Sequence, residues 1–295
     1  MSLTTSCIIP THHRPDFLAV ALESVTAQTT RAFEIIVASD VESPESEVVC
    51  AEHEARTGVP VRFVFDAATR GGASASRNLG ARFATGDVLA FLDDDDRWEP
   101  TYLERVVEQI ERPGKDMAVT WRTLVKGDFR TPGPTIEEGL RARDVVAVSM
   151  GTTGSNMAVT RTAFSTIGGF DDTIPVKNDT DFFYRFLKAG FDYGVVREPL
   201  VLQVKHGAGQ LTGNNIRRAR GTLVYMEKHR ADLRFSDRRH LRLSMHRIYY
   251  HLASGRREKY WHLFLALVNY SPLKFLKERR LRRMFLEIER TTPGD

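Results

Sequence analysis

The chain has 295 residues, 42% hydrophobic and 27% charged, which excludes a disordered or fibrous protein. Two cysteines, Cys7 and Cys50, exclude a disulfide scaffold and fit a reducing compartment. The net charge of +4 conceals an asymmetry: residues 1–204 hold 21 Lys and Arg against 30 Asp and Glu, a net of −9, whereas residues 205–295 hold 21 against 8, a net of +13.

An acidic body with a basic tail suggests two roles. The length predicts one large domain, or one domain with a helical appendage. The opening residues lack a basic stretch followed by an apolar core, and no apolar run approaches ~18 residues. Neither a secretion signal nor a membrane-spanning helix is expected, and a cytoplasmic location is.

In chain order, Ser6–Pro10 reads as a buried strand stopped by proline. Pro15 opens a helix in which Phe17, Leu18, Ala21, Leu22 and Val25 recur at helical spacing. Glu34–Ala38 is a second strand, residues 43–56 a polar helix with Pro44 in its first turn, and Val61–Phe65 a third strand. Ser74–Ala84 is a helix, and Val88–Leu92 a fourth strand that ends in four aspartates.

This alternation predicts a mostly parallel sheet with helices on both faces. Ligands sit at the carboxyl ends of the strands in such sheets. Pro10-Thr11, Asp40 and Asp93–Asp96 each follow a strand and are expected to converge.

Beyond Trp98 the pattern predicts a helix over 99–111, strands near 117–125 and 156–160, and a Gly/Pro-rich connection at 127–139. A helix is expected over 179–189, with extended pieces at 195–196 and 201–204. From about 214 the chain is expected to be helical. Leu241, Met245, Ile248, Tyr249 and Leu252 share one face, and Trp261, Phe264, Leu265 and Val268 another. Ser271-Pro272 reads as a helix start, and Leu281, Met284, Phe285 and Ile288 form a last stripe.

The run Asp93-Asp94-Asp95-Asp96 carries the strongest chemical signal. A solvated acidic turn is the bland alternative. Directly after a buried strand, oxygen ligands at alternate positions suit a hard cation such as Mg²⁺ or Mn²⁺, with phosphate oxygens completing its shell. Gly71–Asn78 is a small-residue loop entering a helix, which permits close backbone approach and attracts anions. No G-x-G-x-x-G follows the first strand and no P-loop occurs, which argues against a dinucleotide site and excludes a P-loop NTPase.

Taken together, Ile8-Ile9-Pro10-Thr11, Arg14-Pro15, Leu22–Val25, Ala27-Gln28 and Phe33–Val37 with Asp40 resemble the opening of the family 2 glycosyltransferases. Gly72 through Arg77-Asn78-Leu79-Gly80, Ala84–Asp87, Phe91–Asp96, Gly168–Asp171 and Asp179–Phe182 continue the resemblance, which covers about residues 5–206.

The resemblance implies a GT-A fold, with a mostly parallel central sheet, and an α/β catalytic domain over 1–210; outside the family's shared core, the charge and periodicity leave a basic helical region over 211–295. It implies an inverting, metal-dependent transfer of a hexose-type sugar from a nucleotide diphosphate, expected to be UDP. The acceptor is a hydroxyl in glycan, polysaccharide or glycolipid synthesis. Carried over, Pro10, Thr11, Arg14, Asp40, Gly72, Arg77, Asp93 and Asp94 bind the nucleotide-sugar. Asp93 and Asp95 form the D-x-D pair, with Asp95 on Mg²⁺ or Mn²⁺, and Asp179 is the general base. The family often has two acidic residues where Ser39-Asp40 stands and Glu-Asp where Asn178-Asp179 stands.

By the same resemblance His206 is a further metal ligand or a diphosphate contact, against the plain reading of a loop histidine, and His13 reads as a loop-shaping residue. The basic C-terminal region has three readings: a packed helical layer with a solvated face, a contact with an anionic membrane surface or lipid diphosphate acceptor, or a nucleic-acid site. The last is disfavoured because aromatic interleaving is poor. A catalytically silent nucleotide-sugar binder or scaffold on the same fold remains the alternative function.

Overall fold

The computed structural model describes residues 2–205 and 216–272. The chain forms two compact units: Met1–Ala142 with Met150–Thr173 and Asn178–Ala208, and Arg143–Ser149 with Ile174–Lys177 and Gly209–Asp295.

The first unit opens with β1 (Thr5–Thr11), α1 (Pro15–Thr26), β2 (Glu34–Ser39), α2 (Pro44–Thr57), β3 (Val61–Phe65), α3 (Ala73–Phe83) and β4 (Val88–Phe91). Every residue of β1 and β4 is buried, as continuous apolar runs require of strands covered on both faces. Proline fixes the first turn of α1, whose Leu18, Ala21, Leu22 and Val25 enter the core. Phe17, expected on that stripe, is 41% exposed. β1 pairs in parallel with β2 and β4, and β2 with β3, as the alternation predicts.

Beyond β4 the sheet becomes mixed. The chain adds β5 (Arg97–Trp98), α4 (Tyr102–Ile110), β6 (Met117–Lys126), β7 (Phe129–Pro132), α5 (Ala142–Val145), β8 (Met157–Thr160), α6 (Arg161–Thr166), α7 (Asn178–Lys188) and β9 (Tyr193–Val204). The strand order is β3-β2-β1-β4-β8-β6-β9-β5, with β7 paired to β6. β8 runs antiparallel to both β4 and β6, whereas β6 and β9 are parallel.

The stretch 127–139 is therefore not only a connection, because its first part folds back on β6 as β7. The two extended pieces near 195 and 201 are one strand. Exposed Arg197-Glu198-Pro199 interrupts its apolar pattern, and the ladder slips opposite, between Thr120 and Arg122. The core joins Cys7, Ile9, Leu22, Ile35 and Val37 to Trp98 and Tyr102, whose rings stack at 4.1 Å.

The second unit contains α8 (Ile216–Lys228), α9 (Phe235–Leu252) and α10 (Arg256–Asn269). α9 buries Leu241, Met245 and Ile248 as its stripe predicts, but leaves Leu252 45% exposed. In α10 the expected apolar face is turned to the surface. Trp261, Phe264 and Val268 are more than half exposed, and Ala266 and Asn269 are buried instead. The stripe at 281–288 lies outside the described residues. No described helix is long and apolar enough to cross a membrane.

Gly80 sets the depth at which α3 lies on the sheet. A Cβ there would stand 2.5 Å from Ile8 Cγ2 and 3.4 Å from Ala38 Cβ. Neither neighbour can give, since Ile8 is β-branched and fully buried. Gly80→Val is expected to destabilise the protein by about 1–3 kcal/mol or more through overpacking. Urea melts of the two proteins measure it, and an unchanged midpoint would show that α3 can lift without cost.

Candidate active site

The site grows out of the turn that follows β4. Leu92 N–H still donates to Ile8 O at 3.0 Å, and Asp96 N–H closes the turn on Asp93 O at 3.0 Å. The four carboxylates then alternate. Asp93 and Asp95 are half-buried, whereas Asp94 and Asp96 are 6% and 2% exposed. Alternation solves the repulsion among four adjacent charges by sending two inward to hydrogen-bond donors.

Thr11 Oγ1 donates to Asp94 Oδ2 at 2.8 Å, and Arg14 Nη1 lies 3.4 Å from both Asp94 Oδ1 and Asp95 Oδ2. Ser155 Oγ donates to Asp96 Oδ2 at 2.6 Å, and Val204 N–H to Asp96 Oδ1 at 3.1 Å. Burial pushes the Asp94 carboxyl up to about 6, against the pull of Thr11 and Arg14. Burial, helped by the charge of Asp93, pushes Asp96 up to about 8.

The predicted nucleotide residues converge at the same end of the sheet. Pro10 and Thr11 end β1, and Asp40 follows β2. Asp40 accepts the Gly72 N–H at the start of α3 at 2.7 Å and pairs with His12 Nδ1 at 2.6 Å. His13 has φ +48°, which fits its reading as a loop-shaping residue.

One turn into α3, Arg77 is 2% exposed. It donates through Nη2 to Asp93 Oδ1, its Nη1 lies 4.0 Å from Asp179 Oδ1, and its guanidinium covers the Phe170 ring at 5.2 Å. The chain of Gly154 passes so close that a Cβ there would strike the guanidinium.

Asp179 stands in the first turn of α7. Its neighbour Asn178 accepts the Asp179 N–H through Oδ1 and donates through Nδ2 to Ser74 Oγ, both at 3.0 Å. Asn178 thus ties the start of α7 to the start of α3. Asp179 Oδ1 is buried without a hydrogen-bond partner among the described residues. Burial pushes its carboxyl up to about 6, opposed by Arg77 and Arg122 and reinforced by Asp93. Asp181, by contrast, is fully buried and serves the fold. It accepts from Arg185 Nε at 2.7 Å, and Arg185 also holds the Ile167 and Gly169 carbonyls.

Two participants escaped the sequence reading. Arg122 on β6 is 8% exposed, donates to Gly151 O, and lies near enough to Asp96 and Asp179 for their charges to act on it. Its one signal is a charge in the middle of a mostly apolar strand, two residues from Thr120. Ser155 accepts the Asp93 N–H at 3.2 Å while donating to Asp96, and nothing in its sequence context marks it. His206 lies outside the described residues. Among those described, no three His, Cys, Asp or Glu side chains converge as a metal cluster.

The model of glycosyl transferase family 2 matches residues 6–168, and that of glycosyl transferase family group 2 residues 88–276. An uncharacterized glycosyltransferase of Haemophilus influenzae is 29% identical over 235 residues, 76% of this chain and 76% of that protein. Among solved structures, S. aureus TarS 1–349 in complex with UDP-GlcNAc aligns with a TM-score of 0.61 at 12% identity, over 91% of this chain and 89% of that one. The mannosyltransferase PcManGT of Pyrobaculum calidifontis, in complex with GDP-Man and Mn²⁺, aligns with a TM-score of 0.61 at 16% identity, over 97% and 81%.

The raised Asp96 carboxyl links stability to pH. Its folded value of about 8 exceeds the ordinary 3.8, so the folded state holds a proton that the unfolded chain releases. That stabilisation is complete below about pH 4 and is lost as pH rises through about 8. Asp96→Asn keeps an acceptor for Val204 and a polar partner for Ser155 but cannot titrate. The parent is expected to lose about 2 kcal/mol relative to Asp96→Asn between about pH 6 and 8. Denaturant melts across that range measure it, and parallel pH profiles would place the folded Asp96 value near the ordinary one.

Proposed function

The chain belongs to glycosyl transferase family 2 and has the GT-A fold, and from that premise we propose that it transfers a sugar from a UDP-sugar to an acceptor hydroxyl with inversion at the anomeric carbon. The observation that carries this reading is the Asp179 carboxylate. It is half-buried beside Arg77, its buried Oδ1 has no hydrogen-bond partner among the described residues, and its affinity for a proton is raised toward neutrality. A hydroxyl is a weak nucleophile, and a carboxylate placed to take its proton contributes roughly 10²–10⁴-fold. One displacement, with the base on one side and the leaving diphosphate on the other, inverts the centre.

The remaining roles follow from chemistry and position. Asp40 accepts from Gly72 and His12 and retains lone pairs for the N3–H of a uracil. Pro10, Thr11, Arg14, Gly72 and Arg77 line the nucleotide. Asp94 supports this wall from within, through Thr11 and Arg14, rather than by direct contact. Arg122 brings a second buried guanidinium whose Nε has no partner among the described residues, a group suited to an anion.

Asp93 and Asp95 fit a hard divalent cation, being oxygen donors left outward by the alternation of the turn. A shell of one or two carboxylates completed by diphosphate oxygens needs no larger protein cluster. Bound there, Mg²⁺ or Mn²⁺ would neutralise charge on the leaving diphosphate. We place the acceptor among glycans, lipid-linked sugars and small molecules.

Single-turnover transfer from a saturating UDP-sugar, in the presence of Mn²⁺, tests this. The parent rate should fall about tenfold per pH unit below about 6, because the base must be ionised and Asp179 takes up its proton there. Asp179→Asn should bind the donor within a few-fold of the parent, lose at least about 10²-fold in transfer, and lose that acidic limb. GDP-sugars should bind more weakly than UDP-sugars. Transfer at the parental rate by Asp179→Asn would move the base elsewhere. A parent that neither transfers nor hydrolyses any nucleotide-sugar would be a binder.

A further inference from the structure

α10 is packed inside out. Ala266 and Asn269 are 7% and 8% exposed, and the His262 ring stacks on Tyr249 of α9 at 5.0 Å, with its Nδ1 3.3 Å from Nδ1 of His246. The helix therefore rests on α9 through small and polar residues. Its large apolar residues face away: Tyr260 is 66% exposed, Trp261 58%, Phe264 54%, Leu267 65% and Val268 52%. At about 100° per residue these five lie on one arc, and the exposed Arg256 and Arg257 of the first turn head the same arc.

Such a face in water costs hydrophobic free energy and calls for a partner. We propose that α10 is a peripheral membrane anchor that lies in the plane of an anionic lipid surface, its aromatic and aliphatic face entering the acyl boundary and Arg256 and Arg257 meeting the head groups. The chemistry selects this occupant. Residues 205–295 carry a net charge of +13, which an anionic surface attracts. A second copy docked on this face by a two-fold axis would bring two like-charged regions together and put Arg256 and Arg257 of each copy into the contact, whereas the cores of such interfaces are depleted of charge.

Tyr and Trp beside Arg are the side chains that settle where head groups meet hydrocarbon. The 14 residues of α10 span only about 21 Å as a helix, too short to cross and long enough to lie flat. Arg239 Nη2 on α9 donates to the carbonyls of Val268 and Tyr270 at 2.6 Å each, so backbone acceptors at the helix end have a partner that is not water. The anchor is independent of sugar transfer and is tested without it.

The full-length protein is sedimented with phosphatidylcholine vesicles, with and without phosphatidylglycerol, at low and high salt. It is expected to follow the anionic vesicles at low salt and to be partly released by high salt. Tryptophan emission should shift to the blue on binding. Trp261→Phe should abolish the shift, since Trp98 is buried and Trp121 half-buried in the other unit. Phe264→Glu with Leu267→Glu should lower vesicle affinity at least about tenfold. Both side chains are exposed, so this variant should melt like the parent. If it does not, Arg256→Glu with Arg257→Glu makes the same test through the charges.

Absence of binding to anionic vesicles at low salt overturns the proposal, as does equal binding by the folded variants. A parent that sediments as a dimer, and a Phe264/Leu267 variant that sediments as a monomer, would assign the face to a second copy instead.

Discussion

A guanidinium withdrawn from water organises one end of the sheet. Arg77 is 2% exposed, and a charge in that position is tolerated only where counter-charges and dipoles replace the solvent it has lost. The requirement reaches four separate parts of the chain. The β4 turn supplies Asp93, α7 brings Asp179 within 4.0 Å, Phe170 lays its ring under the guanidinium, and Gly154 gives up a side chain to let the backbone pass. The glycine-rich loop before Phe170 is held in turn by Asn78, one residue from Arg77. Its Nδ2 donates to Phe170 O at 2.7 Å, and its Oδ1 accepts the Phe170 N–H at 2.9 Å. Motifs far apart in sequence thus meet through two neighbouring side chains of α3.

The aspartate run shows how one segment is divided between the interior and the surface. Strand-like alternation divides it, so that Asp94 and Asp96 are satisfied from inside while Asp93 and Asp95 remain toward solvent. The inward pair is raised by burial and tied to β1, β9 and the turn at Ser155, which fixes where the outward pair stands. Positioning from a second layer of hydrogen bonds is what a site needs if its carboxylates are to be preorganised.

Much of this was legible in the residues, for identifiable reasons. Strands β1, β2 and β4 are buried almost throughout, so their apolar runs and the intervening helical segments stand out, and their parallel order follows. β5 has two residues and β7 is exposed along its length, and neither leaves an apolar signature. Periodicity placed Trp261, Phe264 and Val268 on a common face of α10 correctly. It says nothing about whether that face points inward, and here small residues on the opposite side pack more closely on α9. Motif resemblance singled out Asp40, Arg77, Asp93, Asp95 and Asp179, which the fold gathers at one end of the sheet. It was silent on Arg122 and Ser155, whose importance comes from what the fold sets beside them rather than from any spacing along the chain.

Asp179 can serve as the base only if burial beside Arg77 leaves it a carboxylate that takes a proton near neutrality. A ¹³C titration of the aspartate carboxyl groups in the ligand-free protein, with the Asp179 resonance assigned by its loss in Asp179→Asn, measures this without donor or acceptor. The expected midpoint is about 6. A midpoint at or below the ordinary carboxylate value of about 3.9 would show that Arg77 and Arg122 outweigh burial, and Asp179 would be too weak a base for the part given to it.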